Sequence, residues 1–277
     1  MKKLIFAVLA FAVTVSVFAG GKKDSGGAID RIKQNGKIRI GIFTDKKPFG
    51  YVDERGVNQG YDVYLAHRLA KDLLGDENAI EFVPVVPASR VEFLQSDKVD
   101  IILANFTVTP ARAEAVDFAL PYMKVALGIV SPDSAPIKDI SQLSGKELII
   151  IKGTTAETYF AENYPQITLQ KYDEISDAFN ALKDGRGAAL SQDNTLLFAW
   201  AVENPGFTTT IESIGSLDTI APAVRKGNTE LRDWINHEIQ NNLGDRFFHD
   251  AYDAALRPIY GNTVDPESVV VEKGVVR

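Results

Sequence analysis

The chain has 277 residues, with 30 lysines and arginines against 37 aspartates and glutamates, which gives a formal net charge of −7 at pH 7. This length is enough for one large hydrophobic core or two smaller ones, and the negative charge makes nucleic acid an unexpected partner. The sequence has no cysteine, which excludes disulfides, thiolate metal sites and a cysteine nucleophile.

The N-terminal segment MKKLIFAVLAFAVTVSVFAGG has the pattern of a secretory signal. Lys2 and Lys3 precede an apolar run that is too short for a typical membrane-spanning helix, and small residues follow from Ala19 onwards. We therefore predict a signal peptide at residues 1–19 and a flexible tether at 20–27. The mature protein is expected in the periplasm or otherwise outside the cytoplasm, without a lipid anchor because no cysteine is present.

The first half of the mature chain alternates strand-like and helix-like segments. The runs KIRIGIF, IEFVPVV and VDIILAN are typical of buried strands, and GYDVYLAHRLAKDLLG and SRVEFLQSD are typical of helices. In the first of these helices, Tyr61, Leu65 and Leu69 fall on one face and Gly75 marks the end. This order predicts a β-α-β-α-β unit with parallel strands.

The same alternation returns later, with strands at KELIIIK, TLQKY and GAALSQ and helices at TTAETYFAENY and SDAFNALKDG. The extended stretches Val125 to Asp133 and Asp218 to Lys226 connect the two halves. We predict an α/β fold of two lobes, each a mixed, mostly parallel sheet with flanking helices, joined by a two-strand hinge that permits closure around a cleft. The predicted parts are lobe 1 (28–128 and 222–260), an inserted lobe 2 (129–221) and a C-terminal tail (261–277).

The stretch ANFTVTPARAEAVDFALPY carries the features of an anion site. Thr109 and Pro110 form a helix start directly after a predicted strand, at the sheet edge where open parallel sheets bind ligands. Thr107 adds a hydroxyl and Arg112 adds a planar pair of donors that fits a carboxylate. The simpler interpretation is that the threonines only cap the helix and that Arg112 lies on the surface.

Lobe 2 offers matching features. In KGTTAE, Thr154 and Glu157 have capping-box spacing, and Thr155 at the first helical position could reach the same anion once the lobes close. Asp193 stands where the strand GAALSQD meets the following helix, and its carboxylate could bind an ammonium or simply cap that helix.

In these blocks the chain resembles a known family, the extracytoplasmic amino-acid-binding proteins of ABC importers in the polar amino-acid group. The resemblance covers nearly the whole mature chain, from GKIRIGIFTDKKPFGYVD through VDIILANFTVTPARAEAVDFALPYM and ISQLSGKELIIIKGTTAETYF to IAPAVRKGN. It implies a monomer that captures a small polar L-amino acid and delivers it to the membrane subunits of an ABC importer, without a cofactor, a metal or catalysis.

The resemblance also assigns roles to residues. It implies that Thr107 and Arg112 hold the α-carboxylate of the ligand, with Thr155 reaching it from lobe 2. Asp193 would bind the α-ammonium together with the backbone carbonyl of Asn105. Thr154 belongs to the same set. Tyr61 matches a position whose aromatic ring packs against the ligand.

Which amino acid is bound depends on further residues. Several blocks, among them FGYVDERGVNQGYDVY and FNALKDGRGAAL, look most like the cysteine-binding branch, so cysteine is the first choice. Arg90 has a counterpart in some members that bind acidic amino acids, which makes glutamate or aspartate the alternative; it could also be a solvated helix residue. Phe49 and Tyr51 are possible walls of the cleft or core residues.

An enzyme on the same fold is the remaining alternative. A cyclohexadienyl or arogenate dehydratase would need a positioned general acid, for which Glu174 is the best candidate. The histidines His67, His237 and His249 are scattered along the chain and do not have the spacing of metal ligands.

Overall fold

A computed structural model describes residues 27–276. The predicted signal peptide and most of the predicted tether lie outside the described residues. The strands are β1 (Ile38–Ile42), β2 (Asp45–Lys46), β3 (Gly50–Val52), β4 (Asn58–Gln59), β5 (Ile80–Pro84), β6 (Ile101–Ile102), β7 (Val116–Phe118), β8 (Met123–Pro132), β9 (Glu147–Ile151), β10 (Thr168–Tyr172), β11 (Ala189–Asp193), β12 (Phe207–Ile220) and β13 (Ala223–Arg225). The α-helices are α1 (Ala28–Asn35), α2 (Tyr61–Leu74), α3 (Arg90–Gln95), α4 (Pro110–Ala115), α5 (Thr155–Asn163), α6 (Ile175–Lys183), α7 (Asn194–Glu203), α8 (Thr229–His237), α9 (Phe247–Ala251), α10 (Arg257–Tyr260) and α11 (Pro266–Val269).

Two five-stranded sheets organise the molecule. The first has the order β5-β1-β6-β13-β7, in which β5, β1 and β6 are parallel and β13 is antiparallel to both of its neighbours. The second has the order β10-β9-β11-β8-β12, in which β10, β9 and β11 are parallel and β8 is antiparallel to β11 and β12. We call the two halves lobe 1 and lobe 2. The predicted fold class, a two-lobed α/β protein with mixed sheets, is confirmed.

The chain crosses between the lobes at two neighbouring strands. It enters lobe 2 at Met123, where β8 begins, and leaves at Ile220, where β12 ends; these two residues are paired in the antiparallel register. β8 runs through the predicted boundary between residues 128 and 129, because one long apolar strand both makes the crossing and joins the sheet of lobe 2.

Helix α2 forms as its apolar period predicts. Tyr61, Leu65 and Leu69 are buried against the lobe 1 sheet, and the helix ends at Gly75. Gly75 takes the left-handed conformation, with φ of 80°, and donates its N–H to the carbonyl of Lys71. The later helical pattern is less regular: π-helical turns at Glu238–Asn242 and Tyr252–Leu256 interrupt it.

The C-terminal tail packs against the crossing strands. Val269, Val270 and Val271 are buried, and Val270 forms a bridge with Met123 at the start of β8. The ammonium of Lys124 donates to the carbonyl of Glu267 at 2.6 Å. The tail is therefore a third segment beside the hinge, a position that the sequence did not predict.

Between Gly27 and Val276, no helix combines the length and the apolar character needed to cross a bilayer.

Candidate functional site

A small cavity lies between the lobes, at the carboxyl ends of the parallel strands. The space among its lining side chains is about 220 Å³, including the part that is open to solvent. The residues that line it come from both lobes: Phe43, Lys46, Pro87, Arg90, Asn105, Thr107, Arg112, Thr154, Thr155, Gln192 and Asp193. The cavity thus brings together seven of the eight residues that the sequence analysis placed in the ligand site: Arg90, Asn105, Thr107, Arg112, Thr154, Thr155 and Asp193.

Arg112 is fixed at one wall by the helix start that the sequence predicted. Thr109 caps α4, with its hydroxyl accepting the Arg112 N–H at 3.2 Å, and Pro110 follows at the first helical position. The guanidinium donates to the carbonyls of Thr107, at 2.8 Å, and Gly153, at 2.9 Å. Burial lowers the pKa of Arg112 to about 10, so the guanidinium is charged at neutral pH. Since α4 has only six residues, this guanidinium rather than a helix dipole supplies most of the positive charge.

The opposite wall uses the start of α5. The hydroxyl of Thr154 accepts the Glu157 N–H at 3.3 Å and donates to the carbonyl of Ile151 at 2.7 Å. The Thr154 hydroxyl therefore already donates and accepts a hydrogen bond within lobe 2. The hydroxyl of Thr155 has no hydrogen-bond partner among residues 27–276, which leaves it available to a solute.

Asp193 is buried at the end of β11, with 3% of its surface exposed. It occupies the N-cap position of α7, but its side chain makes no capping bond. Its Oδ2 instead accepts a hydrogen bond from the Lys46 ammonium at 2.9 Å, across the gap between the lobes. The carboxylate therefore faces the cavity, which removes the simpler interpretation of Asp193 as a helix cap.

Lys46 is the main site residue that sequence reasoning missed. It is 3% exposed, and its ammonium donates to Asn105 Oδ1 as well as to Asp193. The rings of Phe43 and Phe49 lie 5.5 and 5.8 Å from its Nζ, within cation–π range. Burial lowers the pKa of Lys46, and the neighbouring carboxylate of Asp193 opposes that shift.

Asn105 is held from behind by a buried carboxylate. It has a positive φ of 44°, and its backbone N–H donates to Asp62 Oδ2 at 2.8 Å. The other oxygen of Asp62 accepts the Tyr122 hydroxyl at 2.6 Å. Burial raises the pKa of Asp62 to about 7, although both hydrogen bonds oppose this change.

Arg90 lines the cavity, but most of its donors are already used. Its guanidinium donates to the carbonyls of Pro87 at 2.9 Å, Ala104 at 3.0 Å, Asn105 at 3.3 Å and Gly153 at 3.1 Å. It also lies 4.3 Å from the centroid of the Phe106 ring. It is 3% exposed, so it is not the solvated helix residue considered above, and at most one of its N–H groups remains for a solute.

Tyr61 and the two possible wall residues, Phe49 and Tyr51, are not among the residues that line the cavity. Tyr61 is in the lobe 1 core, where its ring packs against Tyr122 and Phe248, because the first turn of α2 points inward. Phe49 is fully buried beneath Lys46, and Tyr51 lies in β3 and lines a separate surface groove. The aromatic wall of the cavity is Phe43, which directly follows β1.

Other residues that sequence reasoning missed are Phe43, Pro87 and Gln192. A signal was present for Phe43, the last residue of the predicted strand KIRIGIF, because the carboxyl end of this strand lies at the sheet edge that also carries Thr107 and Arg112. Glu174, the candidate general acid, is exposed and is not among the residues that line the cavity. Across residues 27–276, no cluster of three potential metal ligands occurs.

Solved structures of similar overall fold are known. The structure of the solute receptor for L-cysteine of Neisseria gonorrhoeae is 54% identical and covers 88% of this chain and 99% of its own, with a TM-score of 0.87. The cysteine-binding protein from Campylobacter jejuni is 55% identical and covers 89% of this chain and 99% of its own, with a TM-score of 0.87. Among curated sequences, the ABC transporter glutamine-binding protein GlnH of Bacillus subtilis is 31% identical over 267 residues, 91% of this chain and 96% of the relative.

The pattern of one protein family matches residues 38–254, which include both sheets and every residue that lines the cavity. The chain belongs to the bacterial extracellular solute-binding proteins, family 3.

Proposed function

We propose that this protein captures L-cysteine between its two lobes and delivers it to the membrane subunits of an ABC importer. The observation that carries the proposal is the arrangement of charges across the cavity. Arg112 and Thr107 stand on the lobe 1 side, and Asp193 and Thr155 stand on the lobe 2 side. This arrangement is complementary to a molecule with a carboxylate at one end and an ammonium at the other.

The α-carboxylate would bind Arg112, whose Nε and two further N–H groups have no protein partner in the described part of the chain. The α-ammonium would bind Asp193 through Oδ1, the oxygen that Lys46 does not use. The carbonyl of Asn105 accepts from Arg90 at 3.3 Å and has a second lone pair for the same ammonium.

The hydrogen bonds of Arg90 favour cysteine over the acidic amino acids. The preference for glutamate or aspartate depended on a free Arg90, whose donors are instead used by four backbone carbonyls. The two solved relatives above, at 54% and 55% identity, are described as cysteine receptors.

Capture involves no catalysed conversion of the ligand, in keeping with a family of solute-binding proteins. We place the mature protein in the periplasm as a monomer, where closure of the lobes on the amino acid would present the closed form to the importer. Arg112 belongs to lobe 1 and Asp193 to lobe 2, so one ligand can bind both residues only when the lobes approach each other. Ligand binding and lobe closure therefore depend on the same residues.

Calorimetric titration with L-cysteine under reducing conditions tests the proposal, with L-glutamate, L-aspartate, L-glutamine and L-serine as competitors for specificity. We expect cysteine to bind most tightly. Arg112→Ala should weaken binding by about 100-fold or more, because it removes two charge-assisted hydrogen bonds worth roughly 1.5–3 kcal/mol each.

Arg55→Ala is the matched control, since the Arg55 side chain is 78% exposed and pairs with Asp53 on the surface of lobe 1. Equal affinity of the wild type and Arg112→Ala, or tighter binding of another amino acid than of cysteine, would contradict the proposal.

A further inference from the structure

The charged groups that line the cavity do not balance. Three of them are cationic, Lys46, Arg90 and Arg112, and only Asp193 is a carboxylate. A zwitterionic solute contributes one charge of each sign and leaves this excess unchanged. Because isolated charges are costly in a buried site, the excess favours a ligand that carries one additional negative charge.

The carboxylates behind the cavity do not remove this excess. Asp62 lies beneath Asn105, and its pKa of about 7 leaves it only partly ionised at neutral pH. Asp218 faces Arg112 near the end of β12, where burial raises the pKa of its carboxylate. The titratable and charged groups around the site are Lys46, Asp62, Arg90, Arg112, Tyr122, Asp193 and Asp218.

Of the three lining cations, Lys46 has a donor left for the side chain of the ligand. Arg112 is assigned to the α-carboxylate, and Arg90 donates to four backbone carbonyls. The ammonium of Lys46 has three donors, of which two go to Asn105 Oδ1 and Asp193 Oδ2. The third donor has no partner among the described residues, and Lys46 lines the cavity.

We propose that Lys46 determines specificity by binding the sulfur of cysteine as a thiolate, so that the thiol releases its proton to solvent on binding. This inference rests on the proposed function. A free thiol has a pKa of about 8.5, which a neighbouring lysine or arginine lowers, whereas the hydroxyl of serine does not ionise in this range. The step breaks the S–H bond of the ligand, leaves the electron pair on sulfur and transfers one proton to the buffer. The ion pair with Asp193 opposes the effect of burial on Lys46 and favours its charged form.

Calorimetry in buffers of different ionisation enthalpy measures the number of protons that are released when the ligand binds. With TCEP as the reductant, titration of wild-type protein with L-cysteine at about pH 7 should release about one proton per ligand bound. An ultraviolet difference spectrum of the complex should show the thiolate band. Affinity for cysteine relative to serine should rise about tenfold per pH unit below the pKa of the free thiol, since one proton is released.

Lys46→Met should weaken cysteine binding by at least about tenfold and abolish proton release, because the variant keeps the length of the side chain but not its charge. Lys98→Met is the matched control: the Lys98 side chain is 51% exposed, pairs with Glu92 within lobe 1 and does not line the cavity. It should retain both affinity and proton release. If Lys46→Met fails to fold, Lys46→Arg keeps the charge and should preserve proton release.

Wild-type binding of cysteine without proton release overturns the inference and leaves the proposed function intact. Tighter binding of cysteine by Lys46→Met also overturns it, because Lys46 would then compete with the ligand ammonium for Asp193. If cysteine does not bind to the wild type at all, the proposed function fails and the inference fails with it.

Discussion

Arg90 and Arg112 reach the same carbonyl, that of Gly153, from neighbouring positions in lobe 1. They differ in what their other donors do. Arg112 uses one further donor on Thr107 and keeps three N–H groups free, whereas Arg90 spans three more carbonyls around the turn at Pro87 and the loop after β6. One arginine can therefore bind a solute, and the other mainly holds the site together.

Replacing Arg90 should therefore affect stability more than selectivity. We expect Arg90→Ala to lower the free energy of unfolding by about 3 kcal/mol, because it leaves buried carbonyls without donors and opens space beside Phe106. Urea denaturation measures the change, and Arg55→Ala, on the exposed surface, should remain within about 0.5 kcal/mol of the wild type. A variant with unchanged stability but a new ligand preference would contradict this assignment and restore Arg90 as a specificity residue.

The turn between β9 and α5 sets how closely the lobes approach. Gly153 has a φ of 74°, and a Cβ atom there would lie 2.5 Å from Ala88 Cα in lobe 1. A real side chain cannot come so close to a backbone atom. Only glycine therefore permits the carbonyl of residue 153 to meet both arginines when the cleft is shut.

The variant Gly153→Ala should bind cysteine at least about tenfold more weakly, because the methyl group keeps the lobes apart, and titration calorimetry measures this loss. Gly145→Ala is a close control, since Gly145 also lies in lobe 2 at a positive φ, 73°, and has no atom within 4 Å of its Cβ position. Both variants incur the local strain of a positive φ, but only the first obstructs closure. Identical affinities for the two variants would mean that this contact does not control closure.

Helices and strands with a clear repeat of apolar residues could be predicted from sequence, and short or polar elements could not. The apolar runs that became β1, β9 and β10 and the amphipathic pattern of α2 were visible. The two-residue strand β2, with the sequence DK, carries no such signal because its pairing with β3 depends on tertiary contacts.

The same distinction explains which residues of the site could be predicted from sequence. Residues that follow strongly predicted strands, such as Thr107 and Asp193, could be placed at one sheet edge. Lys46 could not, because it reaches the cavity from β2. Tyr61 was assigned to the ligand from family resemblance alone, and a position in the first turn of a helix does not reveal which way the ring faces.

At the scale of the whole molecule, the C-terminal tail packs beside the two strands that cross between the lobes, so three segments lie together there. Beside the bridge from Val270 to Met123, the N–H of Val271 donates to the carbonyl of Tyr122 at 3.1 Å. His249 anchors this segment, with its ring nitrogens 2.8 Å from Glu272 and 2.9 Å from Glu267. Burial disfavours the charged imidazole, but the hydrogen bonds and charges of these two carboxylates outweigh it and raise the pKa of His249.

Because the folded state raises this pKa, the contribution of His249 to stability is complete below the unfolded pKa of about 6.5 and is lost as pH rises through the folded pKa. We expect His249→Gln to lower the free energy of unfolding by roughly 1 kcal/mol at about pH 5.5 and by much less at about pH 8.5. Urea denaturation of the wild type and the variant at each pH measures the difference between their free energies of unfolding. The titration of other groups, such as Asp62, affects both proteins equally and cancels in this difference.

His67→Gln serves as the control, since His67 makes its hydrogen bond to the backbone carbonyl of Glu77 and not to a carboxylate. A constant difference between wild type and His249→Gln across the pH range would show that the imidazole charge plays no part in holding the tail.

The two ends of the described chain differ as attachment points. Gly27 lies beside Glu230 of α8 in lobe 1, so a tether there would follow lobe 1 and leave lobe 2 free to rotate. Val275 is 55% exposed and follows the tail segment that contacts the start of β8, where the chain crosses between the lobes. A fluorophore at that position is suited to report rotation of the halves, and a bulky fusion there would restrain it.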